Sequence, residues 1–175
     1  VFLVKNMPDS AEIYFGKALK NCEQIKYTKG KVKALNNLGK VYNLRSDYIT
    51  AKRYLLQSLD IAQQTGYDAG IAEASLELGN AHLGLHQPNP ARQSFGLCLE
   101  KAKSANLTQL YHRGYWGLYQ CSLNQNDLTK SLEYYILFAE AEKKLMKTED
   151  NQRLSELRIS FETEKKEKDN EVLRK

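Results

Sequence analysis

Residues 38–59 read LGKVYNLRSDYITAKRYLLQSL, and this segment is the clearest indication of the fold. A related pattern returns forty residues later, at 78–99, where LGNAH and the apolar residues after it occupy the same places. A fixed period of this length is typical of a solenoid, in which each unit is a helix pair that cannot bury its apolar face alone. The sequence therefore predicts an all-α superhelix of antiparallel helix pairs. Such arrays mostly present a long concave surface to a partner, so the pattern favours binding over catalysis.

The aligned positions combine small residues with large ones. Gly39 allows a second helix to approach closely, and that helix offers small residues at Ala51 and Ser58. Small residues facing large ones let two antiparallel helices interdigitate without voids. The positions in register are Ala11, Ala51, Ala91 and Ser131; Phe15, Leu55, Phe95 and Tyr135; Leu19, Leu59 and Leu99; and Leu38, Leu78 and Leu118.

This alternation resembles the tetratricopeptide repeat (TPR), with Leu-Gly and Tyr in the first helix and Tyr, Ala and a large residue in the second. The usual unit has 34 residues, whereas this one has forty, which is similar to the repeats of bacterial signalling proteins and some eukaryotic scaffolds. The resemblance covers about residues 2 to 147. It implies a TPR-like array at 1–147, followed by a charged helix or linker. The expected divisions are a partial repeat at 1–28, repeats at 29–67, 68–107 and 108–147, and the charged segment at 148–175.

Both ends of the array are irregular. In the fourth repeat Tyr119 replaces the Gly and Ser122 replaces the Tyr, although Leu118 and Tyr135 keep the register. The run Val1-Phe2-Leu3-Val4 aligns with the middle of a first helix, so we interpret it as the end of a cut helix. We expect earlier repeats or another chain to cover the apolar side of the next helix.

Turn and cap residues predict where the helices begin and end. Gly30, Gly66 and Asn106 are expected between units, where a left-handed residue ends a helix. The expected N-caps are Asp9 (as a capping box with Glu12), Asp47, Asn89 and Asp127, with Pro90 at the first helical position. The predicted helices span 9–27, 31–45, 48–64, 69–85, 90–104, 109–124 and 128–147.

The C-terminal segment has a different character. Ten of the fourteen residues in 162–175 are charged, five of each sign. Leu154, Leu157 and Phe161 have the three-and-four spacing of a helix seam, but this seam is too short for a sustained coiled coil. One interpretation is a helix that caps the last repeat, and the other is a signalling helix that forms a homodimer.

The same segment carries a second resemblance. DNQRLSEL at 150–157 and FETEKKEK at 161–168 are similar to the linker that follows the repeats in bacterial membrane-bound sensors. In that group a transmembrane segment and an output domain come next, the output being a diguanylate cyclase, a histidine kinase or a DNA-binding domain. The resemblance implies that this chain is the sensory region of such a protein, on the periplasmic side of a membrane or in the cytoplasm.

Composition and motifs argue against other classes. The net charge of +5 is spread out, and the one basic cluster, at residues 26–33, is too short for a nucleic-acid surface. No apolar run is long enough to span a membrane, so no membrane contact is expected. Cys22, Cys98 and Cys121 lack motif spacing and are interpreted as small packing residues. His82 and His86 have no third ligand, and no nucleotide-binding loop is present, so we expect no metal, no cofactor and no catalysis.

The resemblance places the ligand groove on the first helix of each repeat. The groove residues would be Lys33, Asn36, Lys40, Asn43, Glu73, Asn80, Arg113, Trp116 and Gln120. Asn amides suit a peptide backbone, cations suit a carboxylate, and Trp116 can hold an apolar side chain. The order of Asn36 and Lys40 differs from the family's clamp for chaperone tails, so that ligand is not expected.

We therefore expect a module that binds a protein or peptide, most simply as the sensory part of a bacterial signalling protein. Two alternatives stay open, namely a freestanding cytoplasmic scaffold that joins partner proteins and a self-association module.

Overall fold

The computed structural model describes residues 8–173, with side chains described for 10–163 and for Lys166. Within this range every regular element is helical. The elements are α1 (Pro8–Gln24), α2 (Thr28–Leu44), α3 (Tyr48–Gln64), α4 (Asp68–Gly84), α5 (Pro88–Ser104), a single 3-10 turn (Thr108–Leu110), α6 (Tyr111–Leu123) and α7 (Leu128–Leu173). The run Val1-Phe2-Leu3-Val4 lies outside the described residues.

The helices pack in successive pairs. Each helix packs on the next, and α4 also contacts α2 on one side and α6 on the other. These three helices form one layer of the array, while α3, α5 and the first part of α7 form the other. The predicted all-α superhelix of antiparallel helix pairs is confirmed.

The turns follow one geometry at a strict interval. Elements begin at residues 8, 28, 48, 68, 88, 108 and 128. Two residues before each of the last six starts is a residue with positive φ, and the next N–H donates to the carbonyl five residues back, as in the Schellman motif. The left-handed residues are Lys26, Ser46, Gly66, His86, Asn106 and Asn126.

Two of the predicted turn residues occupy this series and one does not. Gly66 and Asn106 are left-handed, as expected. Gly30 lies inside α2, and the prediction of a break there is wrong. A Cβ at Gly30 would lie 2.4 Å from the Tyr27 ring and 2.6 Å from Cys22 Sγ. The glycine is therefore required by close packing rather than by a turn.

The N-caps are partly as predicted. Asp47 and Asp127 each accept a hydrogen bond from the backbone N–H three residues later, at 3.1 Å, and these two caps are confirmed. Asn89 does not cap, because α5 already begins at Pro88 and Asn89 lies in its first turn. Pro90 accordingly sits two residues after the first helical position. The side chain of Asp9 lies outside the described set.

The core confirms the pairing of small residues with large ones. A Cβ on Gly39 would lie 2.4 Å from Leu55, and one on Gly79 would lie 2.5 Å from Phe95. Phe95 is fully buried and also faces Gly117, so one ring fills the space between α4 and α6.

The cysteines occupy packing positions to different degrees. Cys98 and Cys121 are fully buried, and Cys22 is half-buried. Burial raises the pKa of the Cys98 thiol to about 12 and that of Cys121 to about 11. Both buried thiols are therefore neutral and unreactive near neutral pH.

Helix α7 passes through the point at which the sequence predicted an end, near residue 147. It has 46 residues, which corresponds to about 69 Å at the usual rise. Leu154, Leu157 and Phe161 are 65%, 60% and 68% exposed. These side chains do not pack on the last repeat. The structure therefore does not support the interpretation in which this segment caps that repeat.

Candidate functional site: the concave face

The layer formed by α2, α4 and α6 carries three adjoining cavities. They have volumes of about 460, 430 and 410 Å³, and Arg113 lines all three. Each of the nine groove residues predicted from the sequence lines at least one of them. The spacing along the first helix of each repeat therefore brings these residues to one surface.

Two of these residues form hydrogen bonds to a neighbouring helix. The Asn36 amide nitrogen donates to the Gly70 carbonyl at 3.2 Å, and that of Asn43 donates to the Glu77 carbonyl at 2.9 Å. Both bonds run from α2 to α4, so these amides join adjacent repeats. We expected them to hold a ligand backbone, but their N–H groups are already used between helices.

Sequence reasoning missed the residue at the centre of the groove, Glu77. Its side chain is buried on α4, and one oxygen accepts from Arg113 at 2.7 Å. The other oxygen accepts from Asn43 at 3.2 Å and from Asn80 at 3.1 Å. The available signal was a carboxylate one helical turn after Glu73, among small and apolar residues in GIAEASLELGNA at 70–81, since a buried acid requires partners.

The accessible charge at the α2 side of the groove is positive. Lys33 is exposed and Lys40 is half-buried, and neither forms an ion pair with a described residue. Glu73 lines the same cavity and accepts a long hydrogen bond from the Asn36 amide at 3.5 Å. Because Arg113 already neutralises Glu77, the two lysines are the charges available to an acidic ligand.

The other side of the groove is aromatic. Trp116 contacts Tyr119 and Phe138 with ring centroids 5.1 Å apart in both cases, and Tyr119 contacts Tyr135 at 5.6 Å. Trp116 remains 43% exposed at the rim of a cavity that Phe138 also lines. We call these four rings the aromatic cluster. It offers a partly desolvated surface on which an apolar side chain can pack.

His112 lies beside the aromatic cluster. Burial holds the pKa of its imidazole below the ordinary value, and the Arg113 guanidinium acts in the same direction. The ring is therefore neutral at pH 7 and adds no charge to this side of the groove.

The two histidines noted in the sequence, His82 and His86, have roles in the local structure at the end of α4. His82 Nδ1 lies 2.9 Å from Gln87 Oε1, and His86 is the left-handed residue that ends α4. Among the described residues no group of three or more His, Cys, Asp or Glu side chains could hold a metal ion. In the same part of the chain, no helix has both the length and the apolar character to cross a bilayer.

Comparison with known proteins gives a family match for part of the chain. Residues 31–104 match the family model described as tetratricopeptide repeat, and these residues include α3, α4, α5 and most of α2. No curated protein matches the chain. The family match and the paired helices together support a tetratricopeptide repeat domain. Such repeats are generally non-catalytic modules for protein interaction.

Proposed function

We propose that the concave face binds an extended peptide or protein segment that carries an acidic side chain and, further along, an apolar one. The observation that supports this proposal is the division of one continuous groove into a positive side and an aromatic side. Lys33 and Lys40 would pair with the acid, and Trp116 with Phe138 would pack on the apolar side chain.

The spacing of the helices sets the length of the ligand. Adjacent packed helices lie about 8–10 Å apart, so α2 and α6 are separated by roughly 16–20 Å. An extended chain rises about 3.3 Å per residue, so the acidic and apolar residues would be separated by five or six residues. The remaining groove residues, including Asn80 and Gln120, would contact the segment between them.

The test is a peptide array in which one acidic and one large apolar residue are placed at separations from two to nine residues. We expect binding to peak at five or six. Lys40→Glu should weaken binding of the best peptide about tenfold or more, and Trp116→Ala by a similar factor. Lys103→Glu, an exposed cation on α5 outside the groove, is the matched control.

The emission of Trp116 gives an independent readout, because it is the only tryptophan. Binding should bury the indole and shift its emission to shorter wavelength. If binding does not depend on the separation of the two residues, or if Lys103→Glu weakens it as much as Lys40→Glu, the groove assignment is wrong.

We further propose that this region is the long, forty-residue type of repeat and serves as the sensory or regulatory part of a larger bacterial signal-transduction protein. The resemblance of 150–168 to sensor linkers supports this proposal, as does the extension of α7 well beyond the repeats. The alternative is a freestanding scaffold. A transmembrane segment and an output domain encoded after Lys175 would support the sensor, and a stop codon at that point would support the scaffold.

A further inference from the structure

One face of α7 is not covered by another helix, although the matching face of α5, the preceding helix of the same layer, is covered by α6. In α5, Phe95 faces Gly117, Leu99 faces Gly114, and Arg92 donates to Gln125 at the end of α6. One period later the counterparts of Arg92 and Leu99 are Leu132, which is 62% exposed, and Ala139, which is also exposed. A following helix would cover these positions if the array continued.

The segment that follows does not fold back to cover this face. The left-handed residues recur every twenty positions up to Asn126, so the next would fall at Met146. Met146 is helical instead, and α7 continues to Leu173. No element among residues 8–173 therefore returns to the uncovered face.

Leu132 and Ala139 belong to an apolar stripe that runs along α7 as far as Phe161. Its positions are separated by steps of three or four, which places them on one side of a helix. All are exposed, with Ile136 at 49%, Met146 at 57% and Leu154 at 65%. Two charged residues interrupt the stripe. In order, the stripe consists of Leu132, Ile136, Ala139, Lys143, Met146, Asp150, Leu154, Leu157 and Phe161.

We propose that a second copy of this chain covers this face, through antiparallel pairing of the two α7 helices. One register aligns eight of the nine stripe positions with one another in the reverse direction and leaves Met146 beside the two-fold axis. In this register Lys143 lies opposite the partner's Asp150. Leu132 then lies opposite the partner's Phe161, Ile136 opposite the partner's Leu157, and Ala139 opposite the partner's Leu154. Every large apolar residue in these pairs meets an apolar residue, and the single cation meets the single anion.

Charge distinguishes this arrangement from a parallel one. In a parallel pair Lys143 would face the partner's Lys143, and Asp150 would face the partner's Asp150, so like charges would be buried together. In the antiparallel register each Lys143 lies opposite the partner's Asp150, which gives two symmetric ion pairs. Neither residue forms an ion pair within its own chain among the described residues.

In this dimer the C-terminal half of one α7 covers Leu132 and Ala139 of the other chain, the counterparts of two α5 residues that lie against α6. The two arrays lie at opposite ends of the helix pair. This arrangement does not depend on whether the groove binds a peptide.

The first test is sedimentation equilibrium on the full chain. We expect a concentration-dependent dimer that Lys143→Glu weakens about tenfold or more, because two ion pairs become repulsive. Asp150→Lys alone should weaken it similarly, and the double variant K143E/D150K should restore it. Ile49→Ser is the matched control, since Ile49 is 74% exposed on α3 and lies outside the stripe. A chain that stays monomeric at its highest soluble concentration would overturn the proposal, and so would a double variant no better than the single ones.

The second test measures direction. A spin label at Glu133→Cys, beside the stripe, is placed in a Cys22→Ser background, because the other two cysteines are buried. The antiparallel register predicts a distance between labels of about 40 Å, from 27 residues at the helical rise. A parallel pair would give roughly 10–20 Å, from the separation of two packed helices and the length of the labels. The short distance would overturn the antiparallel arrangement even if the chain dimerises.

Discussion

Arg113 on α6 donates to Glu77 on α4 at 2.7 Å, and this ion pair joins two repeats beneath the groove. The Glu77 side chain is 8% exposed, whereas that of Arg113 is 37% exposed. The carboxylate is therefore the desolvated partner, and its loss would leave the Arg113 guanidinium and the Asn80 amide without this acceptor, while Asn43 would keep the Glu77 carbonyl.

Glu77→Ala should lower the free energy of unfolding by about 2–4 kcal/mol, because removing one partner of a buried pair leaves the others uncompensated. Glu77→Gln keeps one acceptor oxygen and should cost less. Urea unfolding followed by circular dichroism measures both. Glu73→Ala is the control, since Glu73 is more exposed and has only a long contact to Asn36. Equal losses for the two alanine variants would contradict this role for Glu77.

Gly79→Ala should destabilise the protein by about 1–3 kcal/mol, because the added Cβ would lie 2.5 Å from the fully buried Phe95 ring. Gly96→Ala provides the matched control, since a Cβ there meets nothing within 4 Å. That variant should stabilise the helix by up to about 1 kcal/mol through lower backbone entropy in the unfolded chain. Thermal unfolding should therefore move in opposite directions for the two glycines.

Two substitutions at left-handed turn residues should have opposite effects on the free energy of unfolding. Gly66 has φ of +62°, so Gly66→Ala should cost about 1 kcal/mol. His86 occupies the same conformation at +57° with a side chain, and His86→Gly should recover a similar amount. Chemical denaturation measures both, and a stabilising Gly66→Ala would show that the turn can change its geometry.

Tyr42 should ionise at an unusually high pH. Its hydroxyl donates to Glu12 at 2.6 Å, and this bond, with burial, raises the pKa of Tyr42 from 10.0 to about 12. The pKa is higher in the folded state, so its contribution to stability is complete below pH 10 and is lost as pH rises to 12. Glu12→Ala should return the pKa of Tyr42 toward 10.

Alkaline titration by tyrosinate absorbance checks this, with Tyr42→Phe used to isolate one ring among eleven tyrosines. The partner carboxyl, Glu12, has a pKa that shifts in the opposite direction. The hydrogen bond from Tyr42, followed by that from Arg45, holds the pKa of Glu12 below its ordinary value. Its contribution is therefore present above pH 4.5 and is lost as pH falls through the lowered pKa.

The sequence by itself determined the helix pairs, their period and the face that each helix turns inward. Small residues such as Gly39 and Gly79 recur opposite large ones, and a helix that carries them can pack closely on one side only. The family resemblance indicated the groove residues, and positions three and four apart on α2, α4 and α6 share a surface.

Tertiary structure decided which polar groups in the groove are free. Asn36 and Asn43 were expected to meet a ligand, but α4 lies close enough to accept their N–H groups. The role of Glu77 depends on three partners from three helices, and a local pattern does not encode such a meeting.

Tertiary structure also decided where the chain turns and where it does not. Lys26, Ser46 and His86 adopt left-handed geometry without the glycine or asparagine that marks such a turn, because the packed helices on either side impose it. At Met146 the same point in the period stays helical, and α7 continues to Leu173 with one apolar face uncovered.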